Sequence, residues 1–209
     1  MSQTENFTKE QFTAIQNIYE YFNKNLFDGI LNNCLLNFSR KSKAMGFFAP
    51  NRWGKEGEEG KVHEISLNPE FLKLGLQETL QTLAHEMAHL WQQDHGKPSP
   101  GYHNKEWARK MESFGLMPSH NGQPGGRKTG KSMADYAIEG GLFLQVVADM
   151  PKEFIYPLVC RAELNLKAGS KPGKNKTKYT CPSCDSNIWG KAGLRVECSD
   201  CEQIFSEAA

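Results

Sequence analysis

Residues 85–95 read HEMAHLWQQDH, and this stretch limits what the chain can fold into more than any other. On a helix, His-Glu-x-x-His puts two imidazoles one turn apart on one face, the spacing at which both reach a single zinc ion. The surrounding pattern predicts that helix over 76–93. Leu76, Leu80, Leu83, Ala84, Met87, Leu90 and Trp91 recur on one face, and His85 and His89 fall on the other. Glu86 projects beside the histidines, where a carboxylate can take a proton from a water acidified by the ion. A catalytic zinc requires a third protein ligand, and two histidines compete for that place.

His95 completes H-E-x-x-H-x-x-x-x-x-H, a spacing that elsewhere relies on a Gly three residues after the second His to break the helix. Gln92 stands at that position, and Gly96 arrives only after His95. The rival is His103, which follows a Pro- and Gly-rich loop long enough to fold back over the first helix. It precedes a second helix expected over 105–114, with Asn104 as N-cap and Gly115 past its end. Glu106 is placed to orient His103 by accepting its second N–H, although an acid in a first helical turn has a sufficient reason in the helix dipole.

A second metal pattern lies at the far end. Cys181 and Cys184, then Cys198 and Cys201, form two C-x-x-C pairs thirteen residues apart. This is the spacing of a zinc ribbon, in which four thiolates close a tetrahedral structural site. A module of some thirty residues buries too little apolar surface to fold alone, so zinc supplies most of its stability. The N-terminus carries no apolar run of signal length and no segment is long enough to span a bilayer, so an intracellular, reducing setting is expected, where clustered cysteines bind metal.

The sequence therefore predicts an α+β domain over 1–160, a basic flexible linker over 161–178 and a β ribbon over 179–209. An amphipathic helix is expected at 8–27, with Phe12, Ile15, Tyr19, Phe22 and Leu26 in its apolar stripe. Three short strands, in CLLNFS, AMGFFAP and VHEISLN, are expected to pair antiparallel. Residues 133–160 regain apolar content and are expected to complete the first core. Net charge is only +1, so nucleic-acid affinity has to be local. The linker offers it: six basic residues against the lone Glu163, among them Lys171, Lys174, Lys176 and Lys178. GGRKTGKS at 125–132 fits the phosphate-loop pattern but follows no buried strand, so no nucleotide cofactor is expected and 118–131 is read as a mobile basic loop. His63 and His120 show no partner in the sequence.

HEMAHLWQQDHGKPSPGYHNKEWARKM, with GFFAPNRWG and HEISLNPEFL upstream and the closing cysteine pairs, resembles the SprT-like family of metalloproteases. The likeness covers most of the chain outside 115–178. It implies a zincin-like domain, with an active-site helix on a small antiparallel sheet, and His85, His89 and His103 as ligands of a catalytic zinc. Glu86 would be the catalytic base. It further implies a protein substrate associated with or crosslinked to DNA, and one structural zinc in the ribbon. The competing expectation is a non-catalytic protein that binds nucleic acid or transcription machinery through the ribbon.

Overall fold

The stripe expected near the N-terminus folds as helix α1 (Phe7–Leu26), burying Ile15, Ile18, Tyr19, Phe22 and Leu26. Asp28 and Gly29, both with positive φ (58° and 71°), turn the chain away at its end. Phe12 departs from the expectation: it is 39% exposed and packs edge-on against Phe38. In the computed structural model the described residues are 6–40, 44–57, 59–155, 158 and 176–207. The chain divides into two compact units, Met1–Leu164 and Asn165–Ala209.

The first unit is mixed α+β. Strands β1 (Leu35–Phe38), β2 (Gly46–Trp53) and β3 (Val62–Leu67) form one sheet in the order β1-β3-β2. β2 and β3 pair antiparallel as a hairpin, but β1 runs parallel to β3, with Leu36 opposite Ile65. The sheet is therefore mixed, not antiparallel throughout. β3 takes the centre because Ile65 and Leu67 are wholly apolar and inward-facing, while the hairpin leaves its other side open for the strand arriving from α1. β2, exposed over its last four residues, Pro50 to Trp53, is one edge of the sheet.

Helix α2 (Leu76–His95) lies against β2 and β3. Its Leu80, Leu83, Ala84, Met87, Ala88 and Leu90 are completely buried, and each large side chain so buried contributes roughly 1.5–3 kcal/mol. Helix α3 (Lys105–Ser113) follows, capped by Asn104, whose side chain accepts from the N–H groups of Glu106 and Trp107. β4 (Leu116–Ser119) and β5 (Ala134–Ala137) pair antiparallel, and α4 (Leu142–Ala148) adds Phe143 and Val146 to the core.

The second unit holds β6 (Thr177–Thr180), β7 (Asn187–Gly190), β8 (Glu197–Cys198), β9 (Gln203–Ile204) and β10 (Ser206–Glu207). They make a three-stranded sheet, β10-β6-β7, and a β8–β9 hairpin. β6 begins at Thr177, so it takes the last two residues of the expected linker. Most of that linker, including Lys171 and Lys174, lies outside the described residues. Among those described, no helix is long and apolar enough to cross a membrane.

Candidate active site

His85 and His89 sit one turn apart on α2, and His103 faces them from the loop before α3. One ring nitrogen from each lies within 4.8 Å of the others. The Nε2 atoms of His85 and His103 are 3.3 Å apart. A tetrahedral ion with Zn–N bonds of about 2.0–2.1 Å separates its nitrogens by about 3.3–3.4 Å, so this donor set fits zinc. His95 is not part of the group. It ends α2, exposed, with Nε2 3.1 Å from the carbonyl of Ile30.

Gln92 explains how His103 is delivered without a break in α2. Its buried amide nitrogen donates to Asn104 Oδ1 (2.7 Å) and to Glu106 Oε2 (2.8 Å). The same Glu106 oxygen accepts the Lys97 N–H at 2.6 Å, and Asn104 donates to the Lys97 carbonyl. The position that would need Gly to bring back His95 thus ties down the loop that brings back His103. Gly96 leaves room for this carboxylate, since a Cβ there would lie 2.6 Å from Glu106 Oε2 and force it to shift.

Glu106 does not orient His103; its Oε2 accepts from Gln92 and from the Lys97 N–H instead. The acceptor for His103 Nδ1 is the Gly130 carbonyl, at 3.0 Å. The backbone of His103 also pairs with Gly130 in both directions, at 2.8 and 3.1 Å. Residues 118–131 are accordingly a folded loop and not a loose basic one. Ser119 Oγ bonds Asn121 and the Gln123 carbonyl, and His120 Nδ1 accepts the Arg127 N–H. Residues 125–132 lead into β5 and not into a helix, so the surroundings of a phosphate loop are missing.

The remaining nitrogen of His85, Nδ1, is 2.8 Å from Asp135 Oδ2 on β5. His89 is held by ring faces: Trp107 stacks at 5.2 Å and 17°, and Phe48 lies at 6.5 Å and 11° on another side. Trp107 touches all three imidazoles, with centroid distances of 4.5–5.2 Å. Two buried polar atoms lack a hydrogen-bond partner among the described residues, Trp107 Nε1 and Asp135 Oδ1, and both belong to this cluster. Trp107 reads as core from the helical pattern; its other role was signalled only by its place one turn after His103. Asp135, fifty residues beyond His85, carried no signal.

Burial lowers His103 to about 4 and holds His89 well below its usual value, so both are neutral donors near pH 7. Burial also pulls His85 down, but the Asp135 hydrogen bond and the charges of Glu86 and Asp135 outweigh it, and His85 is raised. Glu86 is 7% exposed, and burial lifts its carboxyl to about 7 against the opposing pull of His85. The Phe48 N–H donates to that carboxylate. β2 comes this near because residue 46 is Gly: a Cβ there would meet Thr82 Cγ2 at 2.9 Å and Glu86 Cγ at 3.3 Å. Glu86 and the three histidines open on a cavity of about 730 Å³ between β2, the 98–103 loop and residues 131–135.

His63, without a visible partner in the sequence, bonds Asp94 at 2.9 Å through Nε2 and accepts the Asn51 N–H, pinning β3 to the end of α2. In the second unit the Sγ atoms of Cys181, Cys184, Cys198 and Cys201 lie within 4.8 Å of one another. Cys184 and Cys198 are 3.9 Å apart, far beyond a disulfide bond of about 2.05 Å and close to the ~3.8 Å edge of a zinc–thiolate tetrahedron. Both knuckles fold alike. Asp185 and Glu202, each four residues after the first Cys of its pair, adopt positive φ and donate N–H to that Cys carbonyl. Lys176 and Lys178 are exposed, and Lys178 lies across from Trp189 in the β6–β7 pair.

Neither the curated proteins nor the solved structures contain a match to this chain. Residues 15–124 match the SprT-like family, a span that takes in the later part of α1, the three-stranded sheet, α2, α3 and β4. Since that span is more than half of the 209 residues and includes His85, Glu86, His89 and His103, the chain belongs to the SprT-like family.

Proposed function

We propose that this protein is a zinc-dependent endopeptidase of zincin-like design, acting on proteins associated with or crosslinked to DNA. The observation that carries the reading is the convergence of three imidazole nitrogens beside a buried carboxylate, all open to one cavity. His85, His89 and His103 would hold the ion, which when bound supplies a Lewis acid for the scissile carbonyl and brings water toward a pKa of about 7. Glu86 takes the proton of the attacking water and returns it to the departing amine. The Phe48 N–H keeps its carboxylate aimed at the site, and the low polarity around it favours a base that can also donate. An extended peptide lying along the outer side of β2 would pass its scissile bond in front of Glu86.

The cysteine cluster supports a second, structural zinc in a ribbon. Lys176 and Lys178, with Trp189 60% exposed beside them, provide charge and a stacking face suited to DNA. Lys171 and Lys174 extend the same charge along the linker. Four reduced thiolates fit an intracellular, reducing compartment.

Glu86→Gln in the full chain is the decisive test. Cleavage of a DNA-bound protein substrate falls by at least about 10²-fold, while zinc content by elemental analysis and DNA affinity stay at the parent level. Cleavage that persists in this variant would sink the enzyme reading in favour of a binding protein.

A further inference from the structure

Two of the three histidines are oriented by one short segment that lies beyond the family-matched span. Gly130 accepts from His103 Nδ1 and Asp135 Oδ2 bonds His85 Nδ1, whereas the matched span ends at 124. We propose that residues 130–135 act as a strap across the histidine centre and that Asp135 is a positioning residue for metal binding. The inference rests on the reading of His85, His89 and His103 as ligands.

The Asp135 carboxylate is not needed to hold its strand. β5 is already paired with β4 over four residues, and Gln81 Nε2 donates to the Asp135 backbone carbonyl at 3.0 Å, fixing β5 to α2. The side chain is 6% exposed, with Oδ1 unpartnered, so burying it has a cost that strand pairing does not explain. Orientation of His85 does explain it. A hydrogen bond from Nδ1 to the carboxylate selects the tautomer with a free Nε2, fixes the ring plane and strengthens the nitrogen as a donor. Gly130 does the same for His103 through a main-chain carbonyl. His89, wedged between Phe48 and Trp107, has its ring set by packing. The three imidazoles are thus preset by three devices, two of them in the strap.

The test uses apo full-length protein titrated with Co²⁺. Thiolate charge-transfer absorption reports the cysteines, and the weaker visible bands lost in His85→Ala report the histidines. Asp135→Asn keeps the volume and one acceptor oxygen but removes the charge. The expected result is about tenfold to a hundredfold weaker Co²⁺ affinity at the histidines, unchanged affinity at the cysteines and an unaltered apo melting temperature. Parent-like affinity at the histidines in Asp135→Asn overturns the positioning role. So does a drop in the apo melting temperature large enough to account for the lost affinity, because Asp135 would then be a structural residue. If the parent protein itself shows no histidine-dependent bands, the ligand reading fails, and it does so separately from the role of Asp135.

Discussion

The two clusters of this chain that could hold a metal ion are built in opposite ways. The histidine centre stands on a finished core: among the described residues, 26 buried apolar side chains from α1 to α4, the main sheet and the segments between them make up that core. Among the described residues, the cysteine cluster has four buried residues in its core, Tyr179, Cys181, Cys198 and Phe205, and two of these are candidate ligands. One unit can fold first and bind metal afterwards. In the other, two of the four candidate ligands are half of the core, so metal binding there would be one event with folding. The difference also separates their chemistry. A site borne by an independent scaffold can leave a face open to a cavity, whereas a site that must hold its module together closes all four positions.

Metal removal should produce the largest effect and break the comparison if it is wrong. Structural zinc sites of this kind bind with about 10–16 kcal/mol, more than so small a module has to spare. A strong chelator should therefore collapse the amide and Trp189 indole NMR signals of 176–207 and leave those of 6–155 dispersed. Simultaneous loss of both sets would mean that the histidine unit also depends on its ion. Trp107→Ala comes next, since Trp107 is fully buried and also floors the histidine centre. Denaturant unfolding of the apo protein should show about 3–5 kcal/mol of destabilisation. Because 176–207 would be unfolded without metal, the whole loss belongs to the first unit. The smallest effect is expected at His95→Ala, which removes an exposed contact to Ile30. Stability should move by no more than about 0.5 kcal/mol, and metal stoichiometry should not change. A lost equivalent of zinc in that variant would return His95 to the candidate ligands.

The helices were legible in advance because a 3.6-residue apolar stripe needs no tertiary information. α1 and α2 begin and end within two residues of their expected limits, and Asn104 caps α3 through a local side-chain bond that any Asn before a helix can make. Strand direction was not legible. Nothing in CLLNFS says on which side of VHEISLN it will pair, and the β2–β3 hairpin decided that by occupying one edge. The 118–131 loop was misjudged for a related reason. Pro118 and Ser119 end β4, and the Gly-rich residues after them exclude helix but not a folded loop held by Ser119, Asn121 and His120.

By itself, the sequence determined which chemical groups are available and their local geometry: two histidines and a glutamate in one turn of helix, and cysteine pairs closed by tight turns. Those spacings span four residues or fewer, and backbone geometry alone sets the distances. Only the tertiary structure decided what surrounds them. It brought His103 to α2 through Gln92, set Trp107 under all three rings, and carried Asp135 across fifty residues to His85. Such contacts depend on how elements pack, and side-chain packing between distant segments leaves no periodic trace in the chain.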